Sequence, residues 1–147
     1  MKKMKANELR TGNKIISCFN RIETVKSIIE HDNNEEYHEI YKHLICVKEF
    51  GNQYNLAEIK PIPLTEQRLI DLWFETDHYT FWKNGNKKIQ IGFFKDGFFL
   101  IWKGSLQDRF GKKLEYVHQI QNVWFELTGE ELTGEELTIK ENGTYNM

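Results

Sequence analysis

Three groups of side chains in this sequence have the types and spacings that could do chemistry. His118, Gln121 and Asn122, with Phe125, stand three and four residues apart, so a helix would carry them on one face. An imidazole beside two carboxamides could hold a polar ligand or act as a base. Spacing places no Ser, Cys or carboxylate as its partner, and a nucleophilic triad cannot be read from one helix. The competing expectation is that these groups satisfy buried backbone where a helix meets a sheet.

The second group is His31, Asp32, Glu35, Glu36 and His38 in an acidic loop, with His43 on the strand that follows. Their donors could clip a divalent ion. Their spacing matches no closed zinc pattern, so a solvated loop is the expectation and no metal is assigned. The third group interleaves aromatics with cations: Trp82 with Lys83, then Lys87 and Lys88, Phe94 with Lys95, and Trp102 with Lys103. Platforms for single-stranded nucleic acid are built this way, with bases stacked on rings and lysines along the phosphates. A small core needs aromatics too, and lysines at strand ends guard edges against aggregation. There is no phosphate-cradling glycine loop, no HExxH and no framed pair of carboxylates, so catalysis is the least supported class and no cofactor is implied.

The elements that would carry these groups follow from periodicity. Short β-branched runs in residues 8–60 are separated by turns at Gly12-Asn13, Asn20-Arg21 and Gly51-Asn52, which predicts a small curled sheet or barrel. Pro61 and Pro63 stop it, because proline donates nothing to a ladder. A linking helix then starts at "TEQRLIDLWFET", with Thr65 as its N-cap. From Tyr79, the dipeptides Asn84-Gly85 and Asp96-Gly97 divide an aromatic stretch into a three-stranded antiparallel meander. Its last strand is apolar on both faces, with Phe98, Leu100 and Trp102 on one and Phe99 and Ile101 on the other. "KKLEYVHQIQNVWFELTG" reads as a C-terminal helix stopped by Gly129. The class is α+β. The expected division is a β subdomain over 1–63 and a helix, meander and helix subdomain over 64–147, packed as one compact unit.

The 147 residues carry a net charge of −2 that conceals a segregation. Residues 1–26 hold seven Lys/Arg against two Asp/Glu, and 27–77 hold four against eleven. Residues 78–113 hold eight against two, and 114–147 hold one against seven. Basic and acidic segments thus alternate, and the fold decides whether they cancel or form patches. The basic start lacks a following apolar stretch, and "FFLIW" is too short to span a bilayer, so a cytoplasmic protein with no membrane partner is expected. Cys18 and Cys46 lie in strand-like runs without paired spacing and read as reduced core thiols.

"MKANELRTGNKI", "IKPIPLTEQRLIDLWFE" and "VHQIQNVWFELTGEEL" resemble a group of small uncharacterised proteins of Bacteroides-like gut bacteria and their phages. The resemblance covers both ends and the centre. Against it, Met4 looks like the usual first residue, and the usual single LTGEEL is doubled. It implies a bacterial or viral intracellular setting and an accessory role, and it carries over no site residue. The doubling, "LTGEELTGEEL", spans Leu127 to Leu137. Five residues turn a helix by roughly 500°, so the repeated leucines share no face and the repeat reads as a tolerated duplication at a helix end. The leading expectation is a non-enzymatic protein that binds a protein partner or itself through strand 98–102. Nucleic-acid binding through 78–113 is the alternative, and a small enzyme using His118 the third.

Overall fold

The structure is a computed structural model, and it describes residues 4–30, 43–49, 51–77, 79–83, 85–102 and 109–132. The fold is mixed α+β, with two antiparallel sheets of five strands each and one main helix. By its contacts the chain divides into two units. The first holds Met1–Ile62 and Val117–Glu131, and the second holds Pro63–Tyr116. The last helix is grouped with the N-terminal sheet.

The first unit contains β1 (Lys14–Ser17), β2 (Ile22–Glu30), β3 (His43–Val47), β4 (Gln53–Tyr54) and β5 (Ile59–Lys60). Their order across the sheet is β4-β3-β2-β1-β5. Strand β2 serves two partners: residues 22–24 pair with β1, and Val25 onward pairs with β3, with a register shift between Val25 and Ser27. Such a bulge bends and twists the strand. The two outermost strands, β4 and β5, are joined by a single 3-10 turn, Leu56–Glu58. At about 2 Å of rise per residue, that turn holds the sheet's two edges on the order of 10 Å apart, so the sheet must curl. Asn55 fixes the turn: its side chain accepts from Ala57 N at 2.9 Å, while Glu58 Oε1 accepts from Asn55 N at 3.0 Å. Inside the curl pack Met4, Leu9, Ile15, Val25, Ile45, Val47, Tyr54, Leu56 and Ile59. The cysteines depart from expectation. Cys18 is exposed in the turn after β1, Cys46 is half-buried, and both are free.

Helix α2 (Val117–Thr128) packs on β1 and buries Val117, Ile120 and Trp124 along one stripe. It begins five residues later than the sequence suggests, because 109–114 pairs as a strand. It ends as the sequence predicts: Gly129 adopts φ 75°, and its N–H donates to Phe125 O at 2.7 Å.

The second unit contains α1 (Glu66–Asp71), β6 (Glu75–Thr76), β7 (Thr80–Lys83), β8 (Asn86–Phe94), β9 (Gly97–Trp102) and β10 (Arg109–Leu114), with strand order β10-β9-β8-β7-β6. The three-stranded meander is thus the centre of a five-stranded sheet. Thr65 caps α1 as expected, accepting from Arg68 N at 3.1 Å. The helix then stops short of its expected length because Trp73 turns left-handed, at φ 64°. That conformation costs an L-residue roughly 1–2 kcal/mol. On one side of the sheet Phe81, Ile91, Phe98, Leu100 and Leu114 are buried. On the other, Phe94 lies across Gly92: a Cβ built there would sit 2.7 Å from the Phe94 ring, so any larger residue would have to push that ring aside.

The chain passes from the first unit to the second at Ile62/Pro63 and returns at Tyr116/Val117. Within the second unit Leu64 N donates to Glu115 O at 2.8 Å and Pro63 bridges to Tyr116, and within the first Val117 N donates to Ile62 O at 2.8 Å.

Candidate functional site

The helix stripe lands against the start of β1, where the carboxamides of Gln121 and Asn122 meet the backbone and neighbouring side chains. Gln121 Oε1 accepts from Lys14 N at 2.9 Å, and its Nε2 donates to Gly12 O at 3.2 Å. Asn122 Nδ2 donates to Glu8 O at 2.9 Å, while its Oδ1 accepts from Asn13 Nδ2 at 2.7 Å and Arg10 Nε at 3.2 Å. His118 is 1% exposed, with Nε2 3.7 Å from Glu8 Oε2, beyond hydrogen-bonding distance. Gln121 and Asn122 thus hydrogen-bond the backbone of residues 8–14. The segment they hold still pairs with β2 at Gly12 and Asn13, since Gly12 N donates to Val25 O and Val25 N to Asn13 O, both at 2.8 Å.

Arg10, which sequence reasoning missed, organises the rim of this junction. Its guanidinium lies 4.4 Å from the Phe125 ring centroid, donates to Thr11 O at 2.9 Å and to Gln121 O at 3.3 Å, and forms a two-pronged pair with Glu131. Glu131 belongs to the first LTGEE copy, in which Leu127 is exposed and Thr128 is also engaged. Thr128 Oγ1 donates to Trp124 O at 2.7 Å and accepts from Glu130 N at 3.1 Å, and Leu132 is buried. The first copy thus ends a helix, although its residue order also suits a helix start. Of the second copy only its first residue, Leu132, is described, and 133–136 lie outside the described residues.

The lysine and aromatic strip divides. Lys83 is buried, not on a surface: its Nζ donates to Leu72 O at 2.7 Å and sits 5.6 Å from the Phe74 ring centroid. Burial follows because that carbonyl, at the end of α1, needs a donor. Phe94 is half-buried against Gly92 and meets Phe99 edge-on at 5.6 Å, and Trp82 is half-buried. Lys88 and Lys95 are exposed, while the side chains of Lys87, Trp102 and Lys103 lie outside the described residues. Of the acidic-loop group, His43 is half-buried on β3 and the other members lie outside the described residues.

No family model, curated protein or solved structure matches the chain. Chemistry must therefore be read from geometry. Among the described residues, no three His, Cys, Asp or Glu side chains converge as metal donors, and no helix is long and apolar enough to cross a membrane. Strand β9 also changes the picture of an apolar surface. Phe98 and Leu100 are buried on one face, Ile101 is fully buried on the other, and Phe99 is half-buried, so the chain covers both faces itself. The large apolar groups exposed in the second unit are Ile70, Trp73, Tyr79 and Phe93. The last two stand across from each other, since Phe93 N donates to Tyr79 O at 3.0 Å.

Proposed function

We propose that this is a non-enzymatic accessory protein of a bacterial or phage setting that acts by binding another protein or a second copy of itself. One observation carries the reading: Tyr79 is 71% and Phe93 55% exposed, side by side at the end of β7 and β8. Each continues an apolar row, two residues beyond buried Phe81 and buried Ile91 respectively. Phe93 leans on Phe98, ring centroids 4.9 Å apart, which holds it in place without covering it. Aromatic side chains held rigidly at a surface supply large contact area at low entropic cost, the usual make-up of interface anchors.

The test is a Tyr79→Ser, Phe93→Ser double variant beside the parent protein. The parent is expected to show concentration-dependent association by sedimentation, or to retain a stoichiometric protein from a bacterial lysate, and the double variant to lose it while melting within about 5 °C, as changes near 1 kcal/mol do. A parent that stays monomeric at high concentration, binds no apolar dye and retains nothing would end this reading. Nucleic-acid binding keeps Lys88 and Lys95, both exposed. Salt-sensitive retention of single strands in a gel shift, lost on replacing both by Glu, would promote it.

A further inference from the structure

A carboxyl group points into the apolar interior of the first unit's curled sheet. Glu23 pairs with Ile15 across β1 and β2 and stands two residues before Val25, so it shares the face of two residues that line the core. It is 0% exposed. Tyr54 reaches it from β4, donating its hydroxyl to Glu23 Oε2 at 2.7 Å, while Asn52 Nδ2 donates to the same hydroxyl at 3.1 Å. The hydroxyl hydrogen is thereby used. Glu23 Oε1 is enclosed and meets no donor among the described residues. Ser17, two residues along β1 from Ile15 and so on the same face, is 2% exposed, and its Oγ is enclosed and equally unmet.

A carboxylate among apolar side chains is normally paired with a cation or with several donors, because its desolvation must be offset. Glu23 has one donor, Tyr54, and no ion pair among the described residues. Arg21, across from Ser17, turns its guanidinium onto the Phe19 ring, 5.0 Å from the centroid, and makes no ion pair with Glu23. The unmet demand in this corner is for donors. Two oxygens are too few for a metal such as Ca²⁺ or Mg²⁺, which takes about six. They match a charged group with several N–H donors and no acceptor. The rings of Tyr54 and Phe19, centroids 6.2 Å apart, add aromatic faces that suit such a cation. We infer that Glu23 Oε1 and Ser17 Oγ form the binding site of a primary ammonium group, either free ammonium or the end of a small amine. Their enclosure limits the bound head to about the size of a water molecule. Exposed Phe19, in the turn between β1 and β2, marks the side by which an amine's chain would leave. The site lies within the first unit and stands apart from Tyr79 and Phe93.

The experiment titrates the full-length protein with isotope-labelled ammonium, methylammonium and propylammonium chlorides. Tetramethylammonium chloride at matched ionic strength is the control, since it has no N–H. Ammonium is expected to raise the melting temperature of the parent saturably and the control to leave it unmoved. Bound labelled ammonium should give an N–H resonance protected from exchange with water. Glu23→Gln, which keeps an acceptor for Tyr54, and Ser17→Ala should each weaken binding at least tenfold. If methylammonium and propylammonium act as ammonium does, the guest is the end of an amine; if ammonium acts alone, it is the free ion. No protected resonance in the parent, melting that matches the tetramethylammonium control, or equal binding in the parent and both variants overturns the inference and leaves the corner to water. Should Glu23→Gln fail to fold, the parent's resonance and Ser17→Ala still decide.

Discussion

The β1–α2 junction of the first unit and the rim of the second unit's sheet use their residues in opposite ways. At the junction, side chains with the look of chemistry face inward: Gln121 and Asn122 reach Lys14 N, Gly12 O and Glu8 O. At the rim, side chains with the look of core face outward: Tyr79 and Phe93 are exposed beside a row of buried neighbours. Residue type alone would have assigned both backwards. The difference lies in supply and demand for backbone partners. The junction contains N–H and C=O groups that no strand pairs, and an unpaired buried group costs about as much as a lost hydrogen bond, so polar side chains are drawn there. The sheet of the second unit pairs its own backbone, which leaves its rim free to present rings.

The sharpest way to break this comparison is to remove the junction's polar supply. Gln121→Leu keeps the volume but strands Lys14 N–H and Gly12 C=O, at about 1–3 kcal/mol each. A thermal melt should fall by roughly 10 °C or more. A fall of under 3 °C would show that water reaches the junction, and that the carboxamide is free for another role. A smaller effect is expected from deleting Leu132 to Glu136. Because the copies are identical, the product still reads LTGEE through Glu131 and then supplies a leucine at the next position, so the Thr128 cap, the Gly129 stop, the Arg10 partner and the buried leucine all survive. Shortening the connection changes its entropy by well under about 1 kcal/mol, a shift of a few degrees. A loss above about 10 °C would mean that the second copy also carries structure.

The smallest effect concerns the turn that presents Tyr79. Asp77 Oδ1 accepts from Thr80 N at 2.8 Å, Tyr79 N at 3.0 Å and Thr80 Oγ1 at 3.1 Å. These bonds, led by the one from the Thr80 backbone, hold its carboxyl below the usual carboxylate range. A depressed value in the folded state means that ionised Asp77 favours folding above the unfolded-state value, and that this support is lost as pH falls through the folded one. The melting temperature of Asp77→Asn should therefore lie slightly below the parent's at neutral pH, and the gap should close in acid. A gap that widens on acidification would contradict that sign.

What was legible in the sequence was what short spans decide. Thr65 announces the start of α1 and Gly129 the end of α2, because caps act within one turn. Asp96-Gly97 marks the β8–β9 turn for the same reason. The misread parts depend on partners far along the chain. Residues 112–114 read as helix, yet they lie in β10, whose register is set by β9 through Leu114 and Phe98. Lys83 looks like a surface cation until the carbonyl of Leu72 claims it. The length of α1 was overestimated because a tryptophan in the left-handed region is not something composition announces. The stripe of His118, Gln121 and Asn122 was found by periodicity. Its partners at residues 8–14 could not be, since they come from the opposite end of the chain.

That separation sets the order in which the protein can be made. The second unit lies between β5 and α2, so the ribosome finishes Pro63–Tyr116 before it reaches the helix that completes the first unit. Lys14 leaves the exit tunnel 107 residues ahead of Gln121, its eventual hydrogen-bond acceptor. At about 5–20 residues per second, the first strand waits roughly 5–20 s for that acceptor to be synthesised. During that interval the basic N-terminal segment is a nascent edge without its helix, and the inserted sheet, whose strand pairs all lie within 75–114, has time to fold first. The earliest residues to be translated are thus among the last to reach their native partners.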